Sequence, residues 1–223
     1  MSDRRRLSPV TTVIACLLGW AACVSAADNP RYGIYEPVTL SADLSHLSAD
    51  QRKMIGVLID ASDIMNDLFW RQAYGDREAL LAGLKDPAQR RFAEINVGPW
   101  DRLDGDKPFV EGVGLKPAGA QFYPTDMSTG EFEVWEEPDK RGLYSLVRRD
   151  AKGALSLVPY RIAFAEPLVE VSKKLREASG LAENPAFSRY LELRADALLT
   201  DDYRPSDMQW MSMKDNPIDL VIG

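Results

Sequence analysis

Histidine is almost missing from this chain: His46 is the single one in 223 residues. One imidazole cannot build a His-rich zinc site, and no His-Glu-x-x-His pattern exists to place two ligands and a general base on one helix face. A Ser-His-Asp arrangement would have His46 as its only base, and no Gly-x-Ser-x-Gly turn accompanies it. The expected role of His46 is a solvated or capping residue ahead of a helix. No metal-ligating and no catalytic residue is assigned from the sequence.

Cysteine is nearly as scarce, with Cys16 and Cys23 as the only two. Both lie in a segment with the order of an export signal: Arg4, Arg5 and Arg6, an apolar run from Val13 to Ala22, then Val24-Ser25-Ala26 as small residues before a cut at Ala27. That apolar run is too short for a bilayer, which needs about twenty residues. Residues 1–26 are therefore expected to be a signal peptide. Cleavage there leaves no cysteine, so the mature fold must rest on packing without disulfides. Lipidation at Cys23, after Trp20-Ala21-Ala22, is the alternative processing. The product is expected to be exported, periplasmic or secreted, without a membrane span.

Positive charge is also in deficit, 27 Lys and Arg against 34 Asp and Glu. Without the signal segment the balance becomes 24 against 33, a net charge of −9. Such a surface argues against nucleic acid or anionic membranes as partners. A glycine-rich phosphate loop is missing too, since Gly112-Val113-Gly114 lacks the third glycine and the strand-turn-helix setting.

What the chain has in quantity is helix punctuation. Ser48-Ala49-Asp50-Gln51 reads as a capping box ahead of Met54, Ile55, Leu58, Ile59, Ala61, Met65 and Leu68, with Gly75 as the stop. Asp76 restarts a short helix carrying Leu80, Leu81 and Leu84, and Asp86-Pro87 opens a third through about Ile95. From Asn96 to Asp126, glycines and prolines interrupt every apolar piece, yet Trp100, Leu103, Phe109, Phe122 and Tyr123 supply more bulk than a solvated linker carries. An ordered loop region is expected. Ser128-Thr129-Gly130-Glu131 is a second capping box, leading a helix that should end at Pro138.

Leu143 to Arg149 and Ala154 to Tyr160 form a predicted hairpin around Asp150-Ala151-Lys152-Gly153. Glu166-Pro167 then opens a helix closed by Gly180, Asn184-Pro185 opens another, and Ser206 is expected to cap a third containing Met208 and Met211. Asn216-Pro217 breaks that helix, and Ile218 to Gly223 reads as a buried strand. The class implied for residues 27–223 is α+β, mainly helical with a small sheet, and the length allows one sizeable core or two small ones.

Two features invite a chemical reading, and each has a plainer one. Glu131, Glu133, Glu136 and Glu137 crowd one short helix, and Asp201 and Asp202 sit at a helix end. Paired carboxylates do acid and base chemistry when their environments separate their pKa values, but a run like this in an acidic protein is usually a solvated face. Trp70, Trp100, Trp135 and Trp210 could line a cleft, with core burial the commoner fate of such residues.

The segments NVGPWDRL (96–103), GAQFYPTDM (119–127), LYSLVRRD (143–150), LVPY (157–160) and above all YLELRADALLTDDYRPSDMQWMSMKDNPIDLVIG (190–223) resemble the N-terminal half of bacterial members of the dipeptidyl peptidase III family of zinc exopeptidases. The resemblance covers nearly all of residues 27–223. It implies the N-terminal lobe of a two-lobed enzyme that removes dipeptides from peptide N-termini with a zinc ion held by a His-Glu-x-x-His helix and a downstream glutamate. In such relatives the run equivalent to Ile218–Gly223 continues into a Glu-x-Tyr segment that helps hold substrate, and the zinc helix follows much later. This sequence contains neither, so no ligand or catalytic residue carries over. The expectation is an N-terminal portion, without zinc of its own, that needs a C-terminal catalytic lobe and is poorly soluble alone. The alternative is a non-catalytic exported lobe that binds a peptide or a partner.

Overall fold

The computed structural model describes residues 29–223, so the expected signal segment with Cys16 and Cys23 lies outside the described residues. After a 3-10 turn (Pro30–Gly33) come helices α1 (Ala49–Ala73), α2 (Arg77–Gly83) and α3 (Pro87–Asn96). A two-residue ladder of β1 (Trp100–Asp101) and β2 (Lys107–Pro108), helix α4 (Thr129–Val134) and the hairpin β3 (Ser145–Arg149) with β4 (Leu155–Pro159) follow. Helices α5 (Tyr160–Ala163), α6 (Ala165–Leu181), α7 (Pro185–Thr200) and α8 (Arg204–Ser212) complete the order. The chain is α+β and mainly helical, as its punctuation implies.

α1 begins where its capping box says: Gln51 N donates to Ser48 Oγ at 3.1 Å, and Ser48 N donates back to Gln51 Oε1 at 3.0 Å. Its buried stripe of Met54, Val57, Leu58, Ala61 and Leu68 packs on α6, which brings Leu168, Val171, Leu175 and Ala178 on its own 3.6-residue period. The far side of α6 meets α7, whose Phe187, Tyr190, Leu191, Ala195 and Leu198 are buried. Small polar residues set the α6–α7 approach. Ser172 Oγ donates to Ala195 O at 3.1 Å, and the Ser179 and Ser188 hydroxyls lie 2.9 Å apart, one donating to the other while the second donates to the facing backbone carbonyl. Ser172 and Ser179 are buried and their hydroxyls are satisfied, which offsets the desolvation cost of close packing.

A second apolar cluster gathers Trp70, Leu80, Leu84 and Ala93 near the α1–α2 turn. Beside it Phe92 is fully buried, with Tyr32, Tyr35 and Phe109 rings at 5.4, 5.7 and 4.8 Å. Arg31 Nε donates to Asp101 Oδ2 at 2.8 Å, and Trp100 Nε1 donates to Gly114 O at 2.9 Å. The aromatic-rich loop region is thus pinned rather than loose, for the reason its composition suggests.

Four local expectations need correction. Ile218–Gly223 is not a strand: among the described residues no segment pairs with it, and only Ile222 is buried, against α7 and Tyr203. Ser206 does not cap α8, which starts two residues earlier; it lies inside the first turn, wholly buried, donating to Tyr203 O at 2.8 Å. α4 stops at Val134 instead of reaching Pro138, because Lys140 Nζ donates to the carbonyls of Phe132, Glu133 and Trp135 and satisfies its C-terminal end early. α6 runs one residue past Gly180, whose φ is not positive, so that glycine is no cap.

The β3–β4 hairpin adopts the expected pairing, Leu146 opposite Val158 and Arg148 opposite Ser156. Arg149 fastens it, with Nε 2.8 Å from Asp126 Oδ2, its two terminal nitrogens 2.8 and 2.9 Å from the Glu131 carboxylate, and a further bond to Gly153 O. Only half of the second capping box forms, since Ser128 Oγ accepts from Glu131 N while the Glu131 side chain turns to Arg149. The hydrogen bond from Arg149 is the main cause that holds the Glu131 carboxyl below its usual range, although burial opposes it. A carboxylate depressed in the folded state stabilises above its unfolded pKa of about 4.3 and loses that contribution as pH falls through the folded value. Arg149→Met should therefore melt earlier than the parent near about pH 7, with the gap closing toward about pH 3. Thermal melts across that range check it, and added salt should narrow the neutral-pH gap.

Candidate functional site

Three of the cavities that open on the surface bear on the choice of a site. One of about 700 Å³ lies at the polar α1–α2 turn around Trp70 and Arg77, and one of about 330 Å³ between Pro117 and Phe132. The third, about 510 Å³, joins elements far apart in sequence: α1 through Leu68 and Phe69, the hairpin through Tyr144, α6 through Leu168, α7 through Arg194, and the C-terminal residues Val221 to Gly223.

Its floor is closed by Leu68, Leu168, Phe164 and Ile222. Its rim is not: Phe69 is 52% exposed, Leu143 76% and Val221 80%. Arg194 sits at the base with only 8% of its surface exposed. It is there because α7 places it in the apolar stripe of Leu191, Ala195 and Leu198. The guanidinium lies 5.4 Å from the Tyr190 ring and 5.2 Å from the Tyr203 ring, and Nη2 donates to Asp207 Oδ1 at 2.5 Å. Cation–π contacts of this kind strengthen when desolvated. Arg194 Nε and the neighbouring Tyr190 Oη are buried without a hydrogen-bond partner among the described residues.

Tyr203 links this base to the hairpin by stacking on Tyr144, with centroids 4.7 Å apart. Burial pushes its hydroxyl up to about 12, with nearby Asp201 adding to the rise and Arg194 opposing it. Burial likewise raises Tyr160 and Tyr190. These phenols stay protonated at neutral pH. Gly223 comes so close that a Cβ there would lie 3.1 Å from the Tyr203 ring and 3.4 Å from Arg194 Nη1, at a φ of 150° that other residues rarely adopt. The cleft holds apolar surface and one ion pair.

None of the carboxylates flagged in the sequence forms an acid–base pair. Glu131 is bound by Arg149 and Glu133 by Arg141 at 2.8 Å. Asp201, in a left-handed turn at the end of α7, accepts from Arg161 N at 3.2 Å, and burial raises its pKa. His46 is exposed in its loop, and among the described residues no group of three His, Cys, Asp or Glu side chains could hold a metal ion. Trp70 and Trp100 are core residues, Trp135 is half-buried, and Trp210 donates to Asp219 at 2.9 Å on the surface. Sequence reasoning did not single out Arg194, although a charged residue inside a 3.6-period apolar stripe is a visible signal.

No protein-family model matches the chain. Its fold is that of a segment of dipeptidyl-peptidase III chains. The solved structure of DPP III from Caldithrix abyssi is 34% identical with a TM-score of 0.77, over 82% of this chain and 37% of that one. Dipeptidyl-peptidase III from Corallococcus sp. strain EGB is 32% identical with a TM-score of 0.76, over 81% of this chain and 36% of its own. The family resemblance carried by the sequence is thus matched in three dimensions. Among curated proteins, Nudix hydrolase 3 of Arabidopsis thaliana is 29% identical over 85% of this chain but only 32% of its own length. The chain spans about a third of the length of the relatives it matches, so their names describe proteins lying mostly outside the match.

Proposed function

We propose that this chain is the N-terminal portion of a dipeptidyl-peptidase III-like zinc metallopeptidase acting on the N-termini of peptides. The observation that supports it best is the DPP III likeness, above 30% identity with a TM-score of 0.77 across four fifths of the chain. The Nudix name has weaker support, at lower identity and from one protein. The described residues do not fit a zinc site, having one exposed histidine and no ligand cluster. In this reading the zinc and the reacting groups belong to the part of the relatives that this chain does not match. This chain contributes apolar walls and a fixed scaffold.

The test is a hybrid in which residues 29–223 replace the matched region of the Caldithrix abyssi enzyme, with the religated parent enzyme as control. Zinc-dependent release of dipeptides from a chromogenic dipeptide amide is the expected result, while the 223-residue chain alone releases none. A hybrid that folds and binds zinc but cleaves nothing would favour a non-catalytic binding lobe instead.

A further inference from the structure

We infer that the cavity between Pro117 and Phe132 is a binding site for a small uncharged ligand carrying a flat aromatic ring. It shares no lining residue with the cleft that holds Arg194, and the inference does not depend on the functional reading above.

The walls are shaped by the backbone and held in place from outside. Tyr123 and Phe132 stand at 90° with centroids 6.0 Å apart, an edge-to-face pair that an added ring extends by stacking on one member and meeting the edge of the other. Ala120 takes a φ of 45°, in the left-handed region that residues other than glycine avoid. A Cβ on Gly119 would lie 2.6 Å from the Tyr123 ring, so the ring reaches its position only because that residue has no side chain. Backbone strain persists where neighbours over-determine it, and it gathers at ligand sites. Three elements fix this loop: Gln121 N donates to Gln72 O in the last turn of α1, Val147 N of β3 donates to Phe122 O, and Arg149 holds both Asp126 and Glu131. The cavity is therefore formed before a ligand arrives, which lowers the ordering cost of binding.

The lining sets the chemistry of the occupant. Among the described residues no charged side chain lines the cavity, and the charges next to it in sequence are already matched, Asp126 and Glu131 by Arg149 and Glu133 by Arg141. A charged ligand would lose water there without gaining a partner, which favours a neutral molecule. Pro117, Pro124 and Met127 add apolar surface to the two rings, while the exposed hydroxyls of Thr125 and Thr129 suit a polar substituent. The volume of about 330 Å³ falls at the small end of the range of about 300–1,000 Å³ that ligand pockets occupy, which suits a single ring or two fused rings rather than a folded segment.

The test titrates the 223-residue chain with indole and with benzamide, and maps the shifted amide resonances of the isotope-labelled protein. At least one of these neutral probes should saturate a single site, with shifts concentrated in residues 117–132. Benzoate and benzylammonium, which keep the ring and add a charge of either sign, should bind about tenfold more weakly. Gly119→Ala displaces the Tyr123 ring and Tyr123→Ser removes it; each should weaken probe binding about tenfold. Their melting temperatures should change little, because Tyr123 is exposed. Tyr144→Ser removes a tyrosine of nearly equal exposure from the other cleft and should leave the affinity unchanged. Failure of both neutral probes to saturate overturns the site, and equal affinity for the charged probes overturns the assignment of a neutral ligand. Binding that is lost in Tyr144→Ser and kept in Tyr123→Ser overturns the location. For a variant that does not fold, the amide map of the parent decides: shifts centred outside residues 117–132 overturn the site.

Discussion

Leu175→Ala is expected to lower the stability of this chain by about 3 kcal/mol. Leu175 has no exposed surface and lies midway along α6, between the stripe of α1 and the stripe of α7. Truncation removes its transfer free energy and leaves a void. Collapse into that void is resisted, because Ser172 with Ala195 and Ser179 with Ser188 hold the two helix axes at a set spacing. For a domain of this size the shift in melting temperature should be about 6–12 °C. Leu175→Met, which conserves volume, should cost less than about 1.5 kcal/mol. A shift under about 2 °C for the alanine variant would show that α6 is not clamped from both sides.

Phe92→Ala should be as costly, about 4 kcal/mol, with a different signature. Phe92 is fully buried beside the second cluster, and three aromatic rings lose their common neighbour. Two of those rings, Tyr32 and Tyr35, belong to the N-terminal arm, whose other fastenings include the Arg31–Asp101 pair and the hydroxyls of Tyr32 and Tyr35, which donate to Phe109 O and Asn96 Oδ1. The arm should therefore come loose before the α1–α6–α7 core does. Limited trypsin digestion should cut at Arg31 in the variant under conditions that spare the parent, and Leu175→Ala should not show this at equal loss of stability. Identical digestion of the two variants would contradict the separation into two clusters.

Most of the helices were legible because their ends are written in short-range chemistry. Ser48 with Gln51, Asp86-Pro87 and Asn184-Pro185 each satisfy backbone donors within three residues, so no tertiary information is needed to place them. The hairpin was legible for a similar reason, since its turn residues and alternating faces are local. Several of the misreadings are cases where a group outside the local pattern decides. Lys140 ends α4 from outside it, Arg149 takes the glutamate that would have completed a capping box, and Ser206 is buried by α7 and Tyr203 rather than exposed as a cap. The cleft was hidden for the same reason. Phe69, Tyr144, Arg194 and Val221 come from four separate parts of the chain, and no pattern within any one of them announces the others.

The α1–α6 interface joins residues about one hundred positions apart, and this has a consequence for how the protein is made. At about 5–20 residues per second, α1 leaves the ribosome roughly 5–20 s before α6 is complete. Throughout that interval its stripe of Met54, Val57, Leu58 and Leu68 has no partner. The α6–α7 pair, adjacent in sequence, can close at once. The nascent chain thus carries an open amphipathic helix of 25 residues until the second half arrives to cover it, and during that wait it is the natural target for a holding chaperone.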